Sequence, residues 1–285
     1  MAILFLKPLA GGLGLVCVYY RFDRKGESRM RQKPFIRQKV IHCGKQNRKT
    51  DYIEVDIFPY TESDRSRRKR KEILSSPKQQ NLNDKNARRR LMQIVKSNFK
   101  QEDYYISPSY SSKNLPETIE DAEHQVQLYL RRLKTRYKKE GLEFKYIFIT
   151  EHGGKKGRIH HHILIPGGLD RDEIEKCWRL GRCNVKRIQE DENGIEALAN
   201  YLTKDPAGKK RWKSSQGLVR PWVTTSDDKY SRRKIDKLAQ MPPDCEEVKT
   251  FWERKFPDYV LYECQNYFNK ETARWSIYLK MRLRR

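Results

Sequence analysis

The segment from Ile159 to Ile165, IHHHILI, constrains this chain more than any other. Three histidines sit inside an apolar, β-branched run. The loop HGGKKGR precedes it and Pro166-Gly167-Gly168 stops it. Seven such residues between breakers read as a strand buried on both faces, which needs a sheet with cover on each side. The run Phe144–Glu151 lies just before the loop, so the two form a β-hairpin. Alternate residues of a strand point to opposite faces. His160 and His162 therefore share one face with Leu164, and His161 turns to the other with Ile159, Ile163 and Ile165. If Glu151 stands opposite His160 across the hairpin, its carboxylate joins the two imidazoles. Two histidines and one carboxylate with open positions suit zinc, manganese or iron. No H-E-x-x-H occurs, which disfavours a zincin protease.

The flanking pattern fixes the class. Tyr104–Tyr110 reads as a strand. Thr118 with Asp121 resembles a capping box, and Ile119, Ala122, Val126, Leu130, Leu133 and Tyr137 follow at helical spacing up to Gly141. Asp170 with Glu173 opens a short helix through Trp178. Cys183–Ile188 is a strand, and Ile195–Lys204 is a helix ended by Asp205-Pro206. The order strand, helix, hairpin, helix, strand, helix predicts an α+β fold: a central antiparallel sheet with flanking helices. Outside this unit, 36–60 reads as a hairpin and 83–99 as a helix. Two helical stretches lie near 233–240 and 245–256, and a terminal hairpin closes the chain. The expected organisation is an apolar leader at 1–29, a hairpin and basic arm at 30–102, a catalytic unit at 103–222 and an extension at 223–285.

Charge narrows the partner. The 285 residues carry 62 Lys+Arg against 37 Asp+Glu, a formal charge of +25. That excess points to a polyanion, most commonly nucleic acid. The 16 Tyr, 10 Phe and 5 Trp exclude a disordered tail. Mean hydropathy is −0.96, which excludes a multi-span membrane protein. Six cysteines without a C-x-x-C pair read as free thiols in a reducing compartment. The stretch 1–20 is apolar but broken by Lys7 and Pro8, too short beyond them to span a bilayer, and without the cationic start of a secretory signal. Translation from Met30 would remove it. Basic runs at 65–71 and 88–90 and the loop 209–213 are candidates for holding a phosphate backbone, through Arg67, Arg68, Lys69, Arg70, Arg88, Arg89, Lys209, Lys210, Arg211 and Lys213. Trp212 and Trp222 are candidates for stacking on bases, with core packing as the plain alternative.

A second constellation is Tyr201 with Lys204, three apart on one helix face. A free phenol titrates near pH 10. A nearby ammonium and a polarised phosphate both favour the phenolate, which can attack phosphorus. Alone, Y-x-x-K is common and carries little. It gains weight from the histidine strand upstream.

Together these residues resemble the HUH-type rolling-circle replication initiators of small plasmids and single-stranded DNA phages. The family's histidine–hydrophobic–histidine motif matches His160-His161-His162, with His161 in the normally apolar middle position. Its acidic ligand matches Glu151, and its single-tyrosine helix matches Tyr201 and Lys204. The histidines precede the tyrosine, as in replication initiators and unlike conjugative relaxases. The segments SSPKQQNLNDKNARRRL, KYIFITEHG, GRIHHHILIP, ALANYLTKDP and KRWKSSQGLVRP extend the likeness over most of 45–285. The specific motifs lie within 146–204.

The resemblance implies a metal-dependent, site-specific single-strand DNA endonuclease and ligase on an HUH fold. Glu151, His160 and His162 would hold Mg2+ or Mn2+, and Tyr201 would form a 5′-phosphotyrosine at a single-stranded or hairpin origin. It implies a bacterial cytoplasmic setting, no membrane partner, and a host helicase and polymerase, since no G-x-x-x-x-G-K-[ST] loop occurs here. It leaves the oligomeric state open. One departure stands out: the family's threonine-rich first strand is Tyr105-Ile106-Ser107-Pro108-Ser109-Tyr110 here. A proline removes a ladder donor. Pro108 therefore implies an edge or bulge, or an impaired site. A single-tyrosine transposase is the runner-up enzyme. A non-catalytic nucleic-acid-binding protein with a degenerate site is the alternative from another class.

Overall fold

The alternation that marks the histidine run is realised as β7 (Ile159–Ile165), paired in register with β6 (Ile147–His152). The protein is described by a computed structural model covering residues 4–8, 15–19, 35–46, 48–60, 77–152, 158–189, 212–270 and 272–284. A five-stranded antiparallel sheet surrounds this hairpin. It adds β5 (Tyr104–Pro108), β8 (Cys183–Arg187) and the short β9 (Lys213–Ser214), in the order β8-β5-β7-β6-β9.

Both faces of that sheet are covered, as an apolar strand requires. On one lies α2 (Ile119–Lys139). The Thr118 side chain accepts from the amide of Asp121, satisfying one of the unpaired first-turn donors. Gly141, at φ 67°, follows the C-terminus of the helix in the left-handed region that glycine adopts without strain. Val126, Tyr129, Leu133 and Tyr137 of α2 are fully buried against Ile106, Phe148, Ile163 and Ile165. The short α3 (Arg171–Lys176) is capped by Asp170 and adds Ile174 to the same cluster. The opposite face is covered by α1 (Pro77–Asn98), whose Leu91, Ile94 and Val95 pack with Phe99 on Ile147, Ile149, Leu164 and Ile188.

Pro108 sits at the last position of β5, an internal strand between β8 and β7. The edge or bulge expected from its sequence is not what forms. Pairing with β7 runs from Tyr104 opposite Ile165 to Ile106 opposite Ile163 and resumes as a single bridge between Ser109 and His160. The register is unchanged across the gap. The amide of Ser109 points to β8, donating to Arg182 O at 2.8 Å. The neighbouring backbone nitrogen, that of Pro108, therefore faces β7, where proline has nothing to donate. The loss is one ladder bond, without displacement of the strand.

A second five-stranded sheet joins both ends of the described chain. β3 (Phe35–Cys43) and β4 (Tyr52–Tyr60) form the hairpin expected at 36–60. β11 (Tyr259–Asn269) and β12 (Arg274–Leu283) form the terminal hairpin, and β12 pairs with β4. On the far side of β3 lies β10 (Trp222–Asp227), so the order is β10-β3-β4-β12-β11. α4 (Arg232–Gln240) and α5 (Glu246–Lys255) cover one face, with Ile235, Leu238, Val248 and Trp252 on Val55, Ile57, Ile277 and Leu279. A separate two-stranded pair joins β1 (Leu4–Pro8) to β2 (Leu15–Tyr19). The fold is α+β, with antiparallel sheets flanked by helices. Among the described residues no helix is long and apolar enough to cross a membrane.

α1 serves both five-stranded sheets. Its apolar side packs on the first. Its polar side meets the second through Arg89, which donates to Glu54 Oε2 at 2.6 Å and to Asp56 Oδ2 at 3.0 Å. Gln93 also donates to Glu54 Oε2, at 2.8 Å, and Lys96 to the Tyr262 hydroxyl at 2.6 Å. Asn98, at the last position of α1, exchanges two bonds with the backbone of Val219.

Candidate metal centre

The β6–β7 register decides what meets what. Glu151 is opposite His160, Thr150 opposite His161 and Ile149 opposite His162. The odd members of β6 and even members of β7 share the face that α1 covers at Ile147, Ile149 and Leu164. One residue pair beyond that apolar patch, the same face presents Glu151, His160 and His162. The sheet thus places the three predicted ligands together, next to the packed core of a rigid hairpin.

Their ligand atoms lie within 4.8 Å of one another. Glu151 Oε2 is 3.2 Å from His162 Nε2 and 3.6 Å from His160 Nε2. The two imidazoles stand nearly perpendicular, at 87°. His162 and Glu151 are buried and His160 is half-buried. Burial is the main influence holding His162 below the usual histidine pKa, opposed by the Glu151 carboxylate and reinforced by His160. A neutral imidazole keeps the bare nitrogen that coordination needs. The second carboxylate oxygen, Glu151 Oε1, is buried without a hydrogen-bond partner. An orphaned carboxylate oxygen beside two imidazole nitrogens costs stability in a folded core. A divalent cation satisfies it, so this donor set fits a metal ion. The structure carries none and gives no identity.

His161 takes the other path, as the strand alternation predicts. It is fully buried, with Tyr110 Oη 2.8 Å from its Nε2 and Thr150 Oγ1 3.0 Å from its Nδ1. Tyr110 also donates to Ala122 O of α2 at 3.2 Å. Burial holds the imidazole neutral, with its pKa lowered to about 3. It is a satisfied core histidine that ties the sheet to α2, and it takes no part in the ligand set.

A contributor not marked in the sequence is Tyr105 of β5. Its hydroxyl lies 2.5 Å from His162 Nδ1, and the two rings are stacked at 11°. Strand alternation carries the signal: Tyr104 and Ile106 face α2, so Tyr105 faces the metal side.

The remaining candidates scatter. Arg88 is exposed on α1, while Arg89 is engaged with Glu54 and Asp56. Lys213 forms an ion pair with Glu123 of α2, on the face opposite the metal ligands. Trp212 is half-buried against the cluster under α1. Trp222 stacks on His42 at 3.8 Å. Tyr201, Lys204, Lys209, Lys210, Arg211, Arg67, Arg68, Lys69 and Arg70 lie outside the described residues.

Residues 103–206 match the profile of a family of replication-associated proteins, the ORF2 family. Over that span the chain is similar to replication-associated proteins, and the span contains the metal centre, Tyr201 and Lys204. No significant match was found among curated proteins or among solved structures.

Proposed function

We propose that this protein initiates rolling-circle replication by cutting and rejoining one DNA strand at an origin, with Tyr201 as nucleophile. The observation that carries the reading is the Glu151–His160–His162 cluster with its orphaned Oε1, inside a segment similar to replication-associated proteins. A bound Mg2+ or Mn2+ would supply positive charge at the scissile phosphate, where charge builds in the transition state.

The chain's own residues do the rest. The β6–β7 hairpin holds the three ligands, and Tyr105 orients His162. Tyr201 Oη forms a bond to phosphorus and the phosphorus–O3′ bond breaks. The phenolic proton is released and the departing 3′ oxygen takes up a proton, so the exchange balances. The enzyme keeps the 5′ phosphate as a tyrosine ester, and the free 3′ hydroxyl is left to prime synthesis. Lys204 positions the phosphate or assists the proton. Attack by a 3′ hydroxyl on the ester reverses the step and joins the strand. A helicase and a polymerase of a bacterial host would extend from that end.

The non-catalytic alternative leaned on Pro108. That residue costs one bridge at a strand end while the register to His160 continues, which favours the enzyme. The deciding experiment incubates the protein with Mn2+ and labelled single-stranded oligonucleotides tiling the encoding replicon, followed by denaturing electrophoresis. A covalent adduct that disappears in Tyr201→Phe is the expected result. Binding without any adduct across the replicon would overturn the catalytic reading.

A further inference from the structure

The two faces of the second sheet differ. One is apolar and packed under α4 and α5. The other carries rings and cations at the β3–β4 corner beside α1. Phe35 is opposite Tyr60, Arg37 opposite Phe58 and Lys39 opposite Asp56, so all six side chains share that face. Phe35, Phe58 and Tyr60 are half-exposed and adjacent: Phe35 and Tyr60 are 5.5 Å apart, Phe58 and Tyr60 6.4 Å.

Cations hold and extend this array. The Arg37 guanidinium lies 3.7 Å over the Tyr60 ring and is clamped from behind by both oxygens of Asp227. Lys39 lies 5.4 Å over Phe58. Asp56, across from Lys39, accepts from Arg89. A groove of about 400 Å³ leads from Lys39 between β10 and α1, past Arg90 and Thr225. The chain itself adds charge at this corner, because the basic run Arg65–Lys71 begins five residues after Tyr60.

We propose that this corner of the second sheet is a binding platform for single-stranded DNA, separate from the metal centre. Bases stack on Phe35, Phe58 and Tyr60, and the backbone follows Lys39 and Arg90 along the groove. Exposed rings on a sheet with flanking cations match what unpaired strands offer, namely π faces and phosphates. A duplex hides its π faces and gains little here. The proposal rests on nucleic acid being the partner and is independent of strand cleavage.

The test measures binding of labelled oligodeoxythymidine to the full chain by fluorescence anisotropy. Phe58→Leu with Tyr60→Leu keeps the corner apolar and removes two rings. Loss of stacking on two bases predicts affinity weaker by roughly tenfold or more, with binding of a blunt duplex little changed. Lys39→Gln with Arg90→Gln, on the surface, guards against a folding defect in the first variant. It should lower the slope of log affinity against log salt by roughly one to two. Unchanged oligodeoxythymidine affinity in both variants would sink the proposal, as would an equal loss for the duplex or for heparin. Tighter binding of the matching RNA would move the assignment to RNA. Failure to find any covalent adduct leaves this result standing, so the platform and the catalytic reading fail separately.

Discussion

The hydroxyl of Tyr105 lies 2.5 Å from Nδ1 of His162, on the side of the ring away from Glu151. This contact joins the first strand of the sheet to the metal centre. Coordination through Nε2 puts the imidazole proton on Nδ1, so Nδ1–H donates to the Tyr105 oxygen. The contact therefore selects the tautomer that leaves Nε2 bare and turns it toward Glu151.

Tyr105→Phe keeps the stacked ring and removes only the acceptor. It should weaken Mn2+ binding by roughly 10- to 100-fold, the usual effect of losing an outer partner of a ligating histidine. Titration calorimetry reads this directly, while the melting temperature without metal stays close to that of the parent. Equal Mn2+ affinity in both proteins would show that ring packing alone orients His162.

Glu151 predicts a dissociation between stability and metal response. Its Oε1 is buried without a partner, so the carboxylate does not serve the metal-free fold. Glu151→Gln should leave the metal-free melting temperature unchanged or raised. Mn2+ at a hundred times its dissociation constant stabilises a folded protein by about 2.7 kcal/mol, and that increment should vanish in the variant. Thermal scans with and without Mn2+ check both halves. His162→Ala should lose the same increment but also destabilise the metal-free protein, because it empties a buried position.

Local signals made the metal centre legible. A period of two assigned His160 and His162 to one face and His161 to the other, and a loop between two β-rich runs placed Glu151 opposite His160. The capping threonine and 3.6-residue spacing did the same for α2. The second sheet was not legible as a unit. β10 pairs with β3 across 190 residues, from Arg37 to Asp227, and no local pattern announces such a partner. WVTTSD is short and partly polar, so it does not stand out from the basic loop before it. Nor does the run Arg88-Arg89-Arg90 say which guanidinium turns inward. Helix phase against β4 decides that, and β4 is known to face α1 only once the sheet exists.

Arg89 accordingly predicts a structural effect. It is the cation facing Glu54, which is 3% exposed and also receives Gln93. Arg89→Ala leaves a buried carboxylate without its countercharge, which costs about 3–5 kcal/mol. Urea unfolding should show that loss. Arg88→Ala, on the exposed side of the same helix, should fall within about 0.5 kcal/mol of the parent. Similar stabilities for the two variants would show that the α1–β4 ion pairs contribute nothing net.

Three thiols make the fold sensitive to alkali. Burial raises Cys43, Cys183 and Cys264 from an ordinary value near 9.0 to about 12 each. The unfolded chain releases these protons near pH 9, while the folded chain holds them until about pH 12. Between those limits the folded state binds more protons, so stability falls as pH rises. Below pH 9 both states are protonated and the contribution is fully present. Melting temperature should therefore decline between pH 9 and pH 11, and Cys43→Ala should flatten that decline while lowering stability at neutral pH through its small cavity. Native thiol counting gives an independent reading: Cys43, 2% exposed, should resist alkylation at pH 8 and react only after unfolding. Rapid labelling of Cys43 in the native protein, or a melting temperature level up to pH 11, would show that β3 and β4 open far more readily than their packing under α1 and α4 implies.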